Sequence, residues 1–226
     1  MSQQQDDLNQ LTQALQQSDL PREAAADDED LHRLVRTSLD HFQEYADQRA
    51  HLAHLPSSAG PSLLSPAWCS PLENSCLWLG GCRPSLFVRL VYSLSGSDLE
   101  ARLPEFFRGV RRGNLGEISA RQLFMLNELH CRAIREEERV TGRLASVQES
   151  MADWPCPREE MGTAVVDSAA ALGGVVEEAD RIRIDIFKEL VLGILTPLQA
   201  VELLAAGKRL HLSLHDWCKR GGGGPT

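Results

Sequence analysis

The sequence predicts an all-α fold, a single-domain helical bundle with one long central helix. Three observations carry that prediction. Apolar residues recur from Leu31 onward at three- and four-residue intervals, the spacing of one helical face. Ser70 to Glu73, Ser119 to Gln122 and Thr196 to Gln199 each spell a capping box, in which a hydroxyl and a Glu or Gln side chain satisfy each other's orphan backbone N–H groups. No convincing run of alternating apolar and polar residues appears, and the β-branched residues mostly sit at helical spacing.

Taken in order, the first 27 residues are rich in Gln, Asp and Ala. Leu8, Leu11 and Leu15 suit two or three helical turns, but Pro21 and the acidic run Asp27 to Asp30 end them. Residues 1–30 are therefore expected to be an acidic flexible tail. Leu31, Leu34, Val35, Leu39, Phe42, Ala46 and Ala53 mark the first bundle helix, and the acids before it suit the positive end of its dipole. Pro56 to Pro61 reads as a loop. A helix is then expected from Pro71, capped by Ser70 and stopped by Gly80-Gly81, with another running through Leu86, Leu90 and Tyr92.

After Gly109, Gly113, Asn114 and Gly116 comes the longest periodic element. Leu123, Leu126, His130, Ala133, Glu137, Val140, Leu144, Val147 and Met151 form its stripe, widened by Leu129, Ile134 and Thr141. A widened face fits a bundle core better than a two-stranded coiled coil. Residues 163 to 193 supply a further helix through Ala171, Leu172, Val175, Val176, Ala179, Ile182, Ile186 and Leu190. The last runs through Val201, Leu204, Ala205, Leu212 and Trp217, and residues 220–226 read as a Gly-rich flexible tail. The domain is expected to span 31–219.

Bulk properties exclude several classes. With 42% hydrophobic and 24% charged residues, the composition is that of an ordinary globular protein. A net charge of −9 and scattered basic residues argue against unaided DNA binding. The N-terminus lacks the basic start and apolar core of a signal peptide, and no run approaches the roughly 20 apolar residues of a membrane span. Cys69, Cys76, Cys82, Cys131, Cys156 and Cys218 contain no Cys-x-x-Cys pair, which points to reduced thiols in an intracellular protein and away from zinc. Phosphate loop, nucleophile elbow, His-Glu-x-x-His and Rossmann fingerprint are all missing, so no enzyme is expected.

The most distinctive segment is 66 to 89. It holds Trp68, Ser70-Pro71-Leu72-Glu73 and Leu77-Trp78-Leu79-Gly80-Gly81-Cys82-Arg83-Pro84-Ser85. This spelling resembles the hallmark of the plant Delay-of-Germination domain. Leu126-x-Glu128-Leu129-His130, Arg135-Glu136-Glu137-Glu138 and the run from Leu144 to Asp153 resemble that family's central helix, and Leu195 to Val201 its C-terminal end. The resemblance covers roughly residues 30 to 218 in the right order. Cys82 is a departure, since the family often places an aromatic there.

The resemblance implies a stand-alone dormancy-type regulator rather than a TGA-type transcription factor, because no basic region or leucine heptad precedes the domain. It implies a setting in seed dormancy and abscisic acid signalling, and a place in the nucleus and also the cytoplasm. The partners it implies are regulatory proteins, either signalling phosphatases or TGA-type factors, and a homo-oligomer is compatible with it. One alternative is a cofactor that joins TGA-type factors and reaches DNA only through them; another is a haem-dependent sensor.

Haem is implied through C-terminal histidines. His211 and His215 lie one helical turn apart and project from one face, so one of them suits an axial ligand, whereas both together cannot flank a flat macrocycle. The plainer alternative is a pair of helix-end histidines favourable to the dipole. Trp68 and Trp78 are read as core anchors, with Gly80-Gly81 letting two helices cross closely. Arg83 is a candidate to hold an anion or a partner carboxylate. Glu136, Glu137 and Glu138 are read as a solvated face paired with Arg132, Arg135 and Arg139. His130 is read as a core histidine.

Overall fold

A computed structural model of the chain describes residues 2–18, 28–53, 59–67, 69–109, 112–152 and 158–221. They are almost entirely helical. Among them there is no strand, and an isolated antiparallel bridge pairs Trp78 with Gly81. No helix is long and apolar enough to cross a membrane, among the described residues. In order the helices are α1 (Ser2–Ser18), α2 (Asp28–Ala53), α3 (Ala59–Leu64), α4 (Pro71–Cys76), α5 (Pro84–Ala101), α6 (Leu103–Phe107), α7 (Ala120–Ala152), α8 (Arg158–Lys188) and α9 (Pro197–Gly221). A 3-10 turn lies at Leu115–Glu117, and a π-helical turn at Glu189–Ile194 comes directly after α8.

The chain forms two compact units: residues 1–41, 85–130 and 187–226 make one, and residues 42–84 and 131–186 make the other. In the first unit, Leu31, Val35 and Leu39 of α2, Val88 and Val91 of α5, and Leu126 and Leu129 of α7 are buried. Val201, Leu204 and Ala205 of α9 are buried as the periodicity predicts. The π turn is closed by the Leu195 N–H donating to the Leu190 carbonyl at 3.0 Å. Pro197, which has no N–H to donate, then starts α9. The Thr196–Gln199 box forms in both directions, the Thr196 N–H donating to Gln199 Oε1 at 3.0 Å and the Gln199 N–H to Thr196 Oγ1 at 3.4 Å. Gln199 is buried, so its amide is used further: Gln122 Nε2 donates to it at 2.7 Å, and its own Nε2 donates to the Asn114 carbonyl at 3.1 Å. Gln122 also completes the Ser119 box.

The same unit corrects the expected N-terminal tail. Residues 2–18 are helix α1, with Leu8, Leu11 and Ala14 buried and the helix packed on α9. Gln-rich composition argues for an undocked chain. The structure instead supplies an apolar face and a charge partner, and tertiary packing overrides weak propensity. The acidic run does sit where the dipole favours it, because Asp28, Glu29 and Asp30 form the first turn of α2. Several apolar positions are misassigned as well, and Leu86 of α5 and Ile134 of α7 are among the exposed ones. Leu123 of α7 and Trp217 of α9 are exposed, since a stripe near a helix end need not find a neighbour to cover it.

In the second unit the buried residues include Ala46 and Ala53 of α2, Ala133 and Val140 of α7, and Leu172, Val175, Val176, Ala179 and Ile182 of α8. From Leu172 onward, every apolar position that the periodicity assigns to α8 is buried. Ala53, Leu63 and Val176 form one apolar cluster, with Leu64 against it. The expected loop at 56–61 overlaps α3, which begins at Ala59; residues 54–58 lie outside the described residues. Within α7, Glu137 is buried and not part of a solvated face. The expected C-terminal tail also lies largely outside the described residues, which reach Gly221.

Candidate functional site

The distinctive segment folds in two steps. Ser70, in extended conformation, accepts from the Glu73 N–H, and Glu73 accepts from the Ser70 N–H at 2.7 Å, so the capping box of α4 forms as spelled. Pro71 occupies the first turn. The helix then stops at Cys76, earlier than Gly80-Gly81, and Leu77 is already extended. Beyond Leu77 the backbone reverses tightly. The Trp78 N–H donates to the Gly81 carbonyl at 2.7 Å and the Gly81 N–H to the Trp78 carbonyl at 3.1 Å. Leu79 and Gly80 both have positive φ, 52° and 70°, the signature of a mirror-image two-residue turn. The glycines are thus a turn and not a helix-crossing hinge. A Cβ on Gly80 would lie 1.8 Å from the Leu63 carbonyl oxygen, and one on Gly81 would lie 2.8 Å from Cζ of Arg183.

A turn of this kind aims several carbonyls one way, and two arginines meet them. Arg49 of α2 is 2% exposed; its Nη1 donates to the Gly80 carbonyl at 2.5 Å and its Nη2 to the Leu79 carbonyl at 3.1 Å. Arg183 of α8, equally buried, donates from Nε to the Cys82 carbonyl at 2.7 Å and from Nη2 to the Trp78 carbonyl. Asp180, one turn before it, bridges the pair. It accepts from Arg49 Nε at 2.9 Å and from Arg183 Nη1 at 2.5 Å. The planar fork of guanidinium allows each arginine to serve several acceptors at once, which lysine cannot do. Arg183 also lies over the Trp78 ring at 5.1 Å, while the indole N–H donates to Thr141 Oγ1 at 3.0 Å. Arg49 similarly faces the Tyr45 ring at 5.8 Å.

The electrostatics result from burial. Desolvation pulls the Arg49 guanidinium down, but Asp180 and Tyr45 outweigh it and its pKa is raised. For Arg183 desolvation wins over Asp180 and the pKa is lowered. Burial pushes the Cys82 thiol up, against the opposing pull of Arg183. Cys82 is therefore a poor nucleophile at neutral pH.

Of the residues singled out from the sequence, Trp78, Gly80 and Gly81 come together in this assembly, and Arg83 flanks it. Trp68 lies outside the described residues. The half-exposed Arg83 has Nη1 at 3.7 Å from Glu137 Oε2, so the carboxylate it meets is the chain's own. Arg139 of α7 pairs with Glu136, as the spacing predicts, and also reaches Glu178 of α8 at 2.6 Å. Arg143 joins Glu178 as well. Burial would raise the Glu178 carboxyl, but Arg139 and Arg143 hold it below its ordinary range. His130 is half-buried, its ring edge-on to Tyr92 at 6.1 Å.

Arg49, Asp180 and Arg183 are the residues of this assembly that the sequence reading misses, although their signal is present. Arg49 falls between Ala46 and Ala53 on the apolar stripe of α2, and Arg183 between Ala179 and Ile186 on that of α8. A charge on a core stripe needs a buried partner.

His211 and His215 belong to the other unit. His211 is exposed and His215 half-buried on the last turns of α9, beside the exposed Leu210 and Trp217. An open helix face does not enclose an apolar macrocycle, so these residues do not fit a haem pocket, and among the described residues no cluster of three metal-ligating side chains occurs.

Comparison with known proteins places this architecture. A family model described as "DOG1: Seed dormancy control" matches residues 7–93, from α1 into α5 and across the Gly-Gly turn. Arabidopsis thaliana Protein DOG1-like 1 is 38% identical over 225 residues, which cover 85% of this chain and 79% of that protein. DOG1-like 3 from the same plant is 36% identical over 209 residues, 84% of this chain and 73% of that protein. Arabidopsis Transcription factor TGA6 is more distant, 24% identical over 231 residues that cover 94% of this chain but 57% of the factor. With relatives this similar along most of their own length, and with the hallmark segment built into its core, the chain belongs to the DOG1 family.

Proposed function

We propose that this chain is a non-enzymatic regulator of seed dormancy that works by binding other proteins. Membership in a family described by seed dormancy control is the observation that carries the reading. Helix surfaces with exposed large apolar side chains, among them Phe124 and Leu123 of α7 and Trp217 of α9, support a docking role. The hallmark segment supports it in a different way. Its glycines, Trp78 and the two arginines satisfy one another, so they hold their unit together and leave recognition to the surface.

The setting proposed is abscisic acid signalling in the nucleus, a reading supported by the likeness to Arabidopsis RESPONSE TO ABA AND SALT 1, 25% identical over 203 residues, and to the TGA factors. DNA is reached through a TGA-type partner, because a net charge of −9 opposes phosphate binding by the chain alone. Two measurements test this. Seeds lacking the chain should germinate sooner after harvest, and unchanged dormancy would contradict the reading. In a gel shift the purified chain should leave free DNA unshifted and retard a probe already bound by a TGA-type factor. Sequence-specific retardation by the chain alone would overturn the second claim.

A further inference from the structure

α1 is anchored by few groups. Its buried apolar side chains are Leu8, Leu11 and Ala14, which share one face at three-residue steps, and much of the remainder is Gln, Asn, Asp, Ser and Thr. Seventeen ordered residues on three apolar anchors place this helix at the low-stability end of a structure. Its polar anchor is specific. The buried Asp7 presents Oδ2 both to Lys208 Nζ of α9 at 2.6 Å and to His41 Nδ1 of α2 at 3.2 Å. Arg209 Nη2 adds a bond to Thr12 Oγ1 at 3.3 Å. The receiving face therefore combines apolar contact with a cation, Lys208, that reads a carboxylate one residue before the first apolar anchor.

We infer that α1 occupies, within its own chain, a docking face on α9 that accepts an acidic amphipathic helix of another protein, and that α1 must leave before that helix binds. The incoming helix carries the spacing of α1 itself, Asp-Leu-x-x-Leu-x-x-Ala, which is the anchor pattern of helix-in-groove recognition. Because α1 belongs to the same chain as the face it covers, it competes at high effective concentration. Only a helix that binds more tightly than α1, or is itself held nearby, displaces it. The inference rests on the reading of the chain as a protein-binding module and names the face that would serve it.

The test uses the full chain and, as probe, a fluorescein-labelled peptide of residues 2–18. Asp7→Lys sets like charges against Lys208 and loosens α1, so this variant should bind the probe at least about tenfold more tightly than the wild-type chain, a change of roughly 1.4 kcal/mol. Adding Lys208→Glu restores the pairing inside the chain and repels Asp7 of the probe, so binding should be lost. Equal binding by wild type and Asp7→Lys, or retention in the double variant, overturns the inference. Hydrogen exchange on the wild type needs no variant to fold. Amides of residues 8–16 should exchange at least about tenfold faster than those of residues 200–206, and equal protection would make α1 an integral part of the unit and overturn the inference. Retardation of a TGA-bound probe by a chain that fails these tests would leave the module reading standing and remove only this face.

Discussion

Replacing Arg183 by methionine removes one half of the clamp while keeping most of its volume. Asp180 retains Arg49 Nε at 2.9 Å, and Leu79 and Gly80 retain the Arg49 fork. The carbonyls of Cys82 and Trp78 lose the donors that Arg183 supplies. A buried acceptor left unmade costs about 1–3 kcal/mol, and breaking a buried ion pair from one side costs about 3–5 kcal/mol. These terms overlap, so the expected loss is about 3–5 kcal/mol, a large share of the roughly 5–15 kcal/mol that holds a typical domain together. In a chain of this size about 1 kcal/mol moves the melting temperature by roughly 2–4 °C, which gives a drop of roughly 6–20 °C. Thermal unfolding followed by far-UV circular dichroism reads it, with Arg181→Met as control. Arg181 lies two residues earlier with a mostly exposed side chain 3.9 Å from Glu178, and its loss should stay within about 0.5 kcal/mol. An Arg183→Met loss below about 1 kcal/mol, or equal to that of the control, would refute the clamp.

Gly80→Ala should cost at least about 3 kcal/mol by the same assay, because the new Cβ overlaps the Leu63 carbonyl and the position has positive φ; near-neutral behaviour would mean that the turn relaxes freely. Acid should release α1 before the rest of its unit. Burial raises the Asp7 carboxyl, but Lys208 and His41 outweigh it and the pKa is lowered, so the stabilisation is complete above about pH 4, the ordinary carboxylate value, and is lost as pH falls through the depressed folded value. Hydrogen exchange of residues 8–16 at a series of pH values checks the sign, since protection that rises on acidification would contradict it. Haem added to wild type, His211→Ala and His215→Ala should give the same Soret spectrum, and a change in either variant would show that the open face of α9 does hold iron.

Much of the fold is legible because helices advertise themselves locally. All three capping boxes form as spelled, and most of the apolar stripe positions of α2 and α8 are buried. Local signals fail where a distant segment decides the outcome. Leu8 and Leu11 look like too little to order a polar helix until α9 supplies Lys208 and a surface to cover them. Gly80-Gly81 is recognisable as the family's mark, yet its geometry is not. A helix crossing and a mirror-image turn both call for glycine, and only the positive φ of Leu79 separates them. Arg49 and Arg183 stand on apolar stripes, which marks them as core charges, but nothing between residues 49 and 183 announces that one turn's carbonyls lie between them. Cys82 fits the same account. The clamp uses its backbone carbonyl, which any side chain provides, so the departure from an aromatic leaves the Arg183 contact intact.

The central claim is that the Gly-Gly segment is held from beneath by two buried guanidinium groups. Arginine side-chain Nε–H resonances in nitrogen-correlated NMR report on that directly. The Nε–H groups of Arg49 and Arg183, bonded to Asp180 and to the Cys82 carbonyl, should exchange with solvent orders of magnitude more slowly than those of exposed arginines such as Arg36, and Gly80→Ala should abolish the protection of both. Exchange of Arg49 and Arg183 as fast as that of Arg36 would contradict the account.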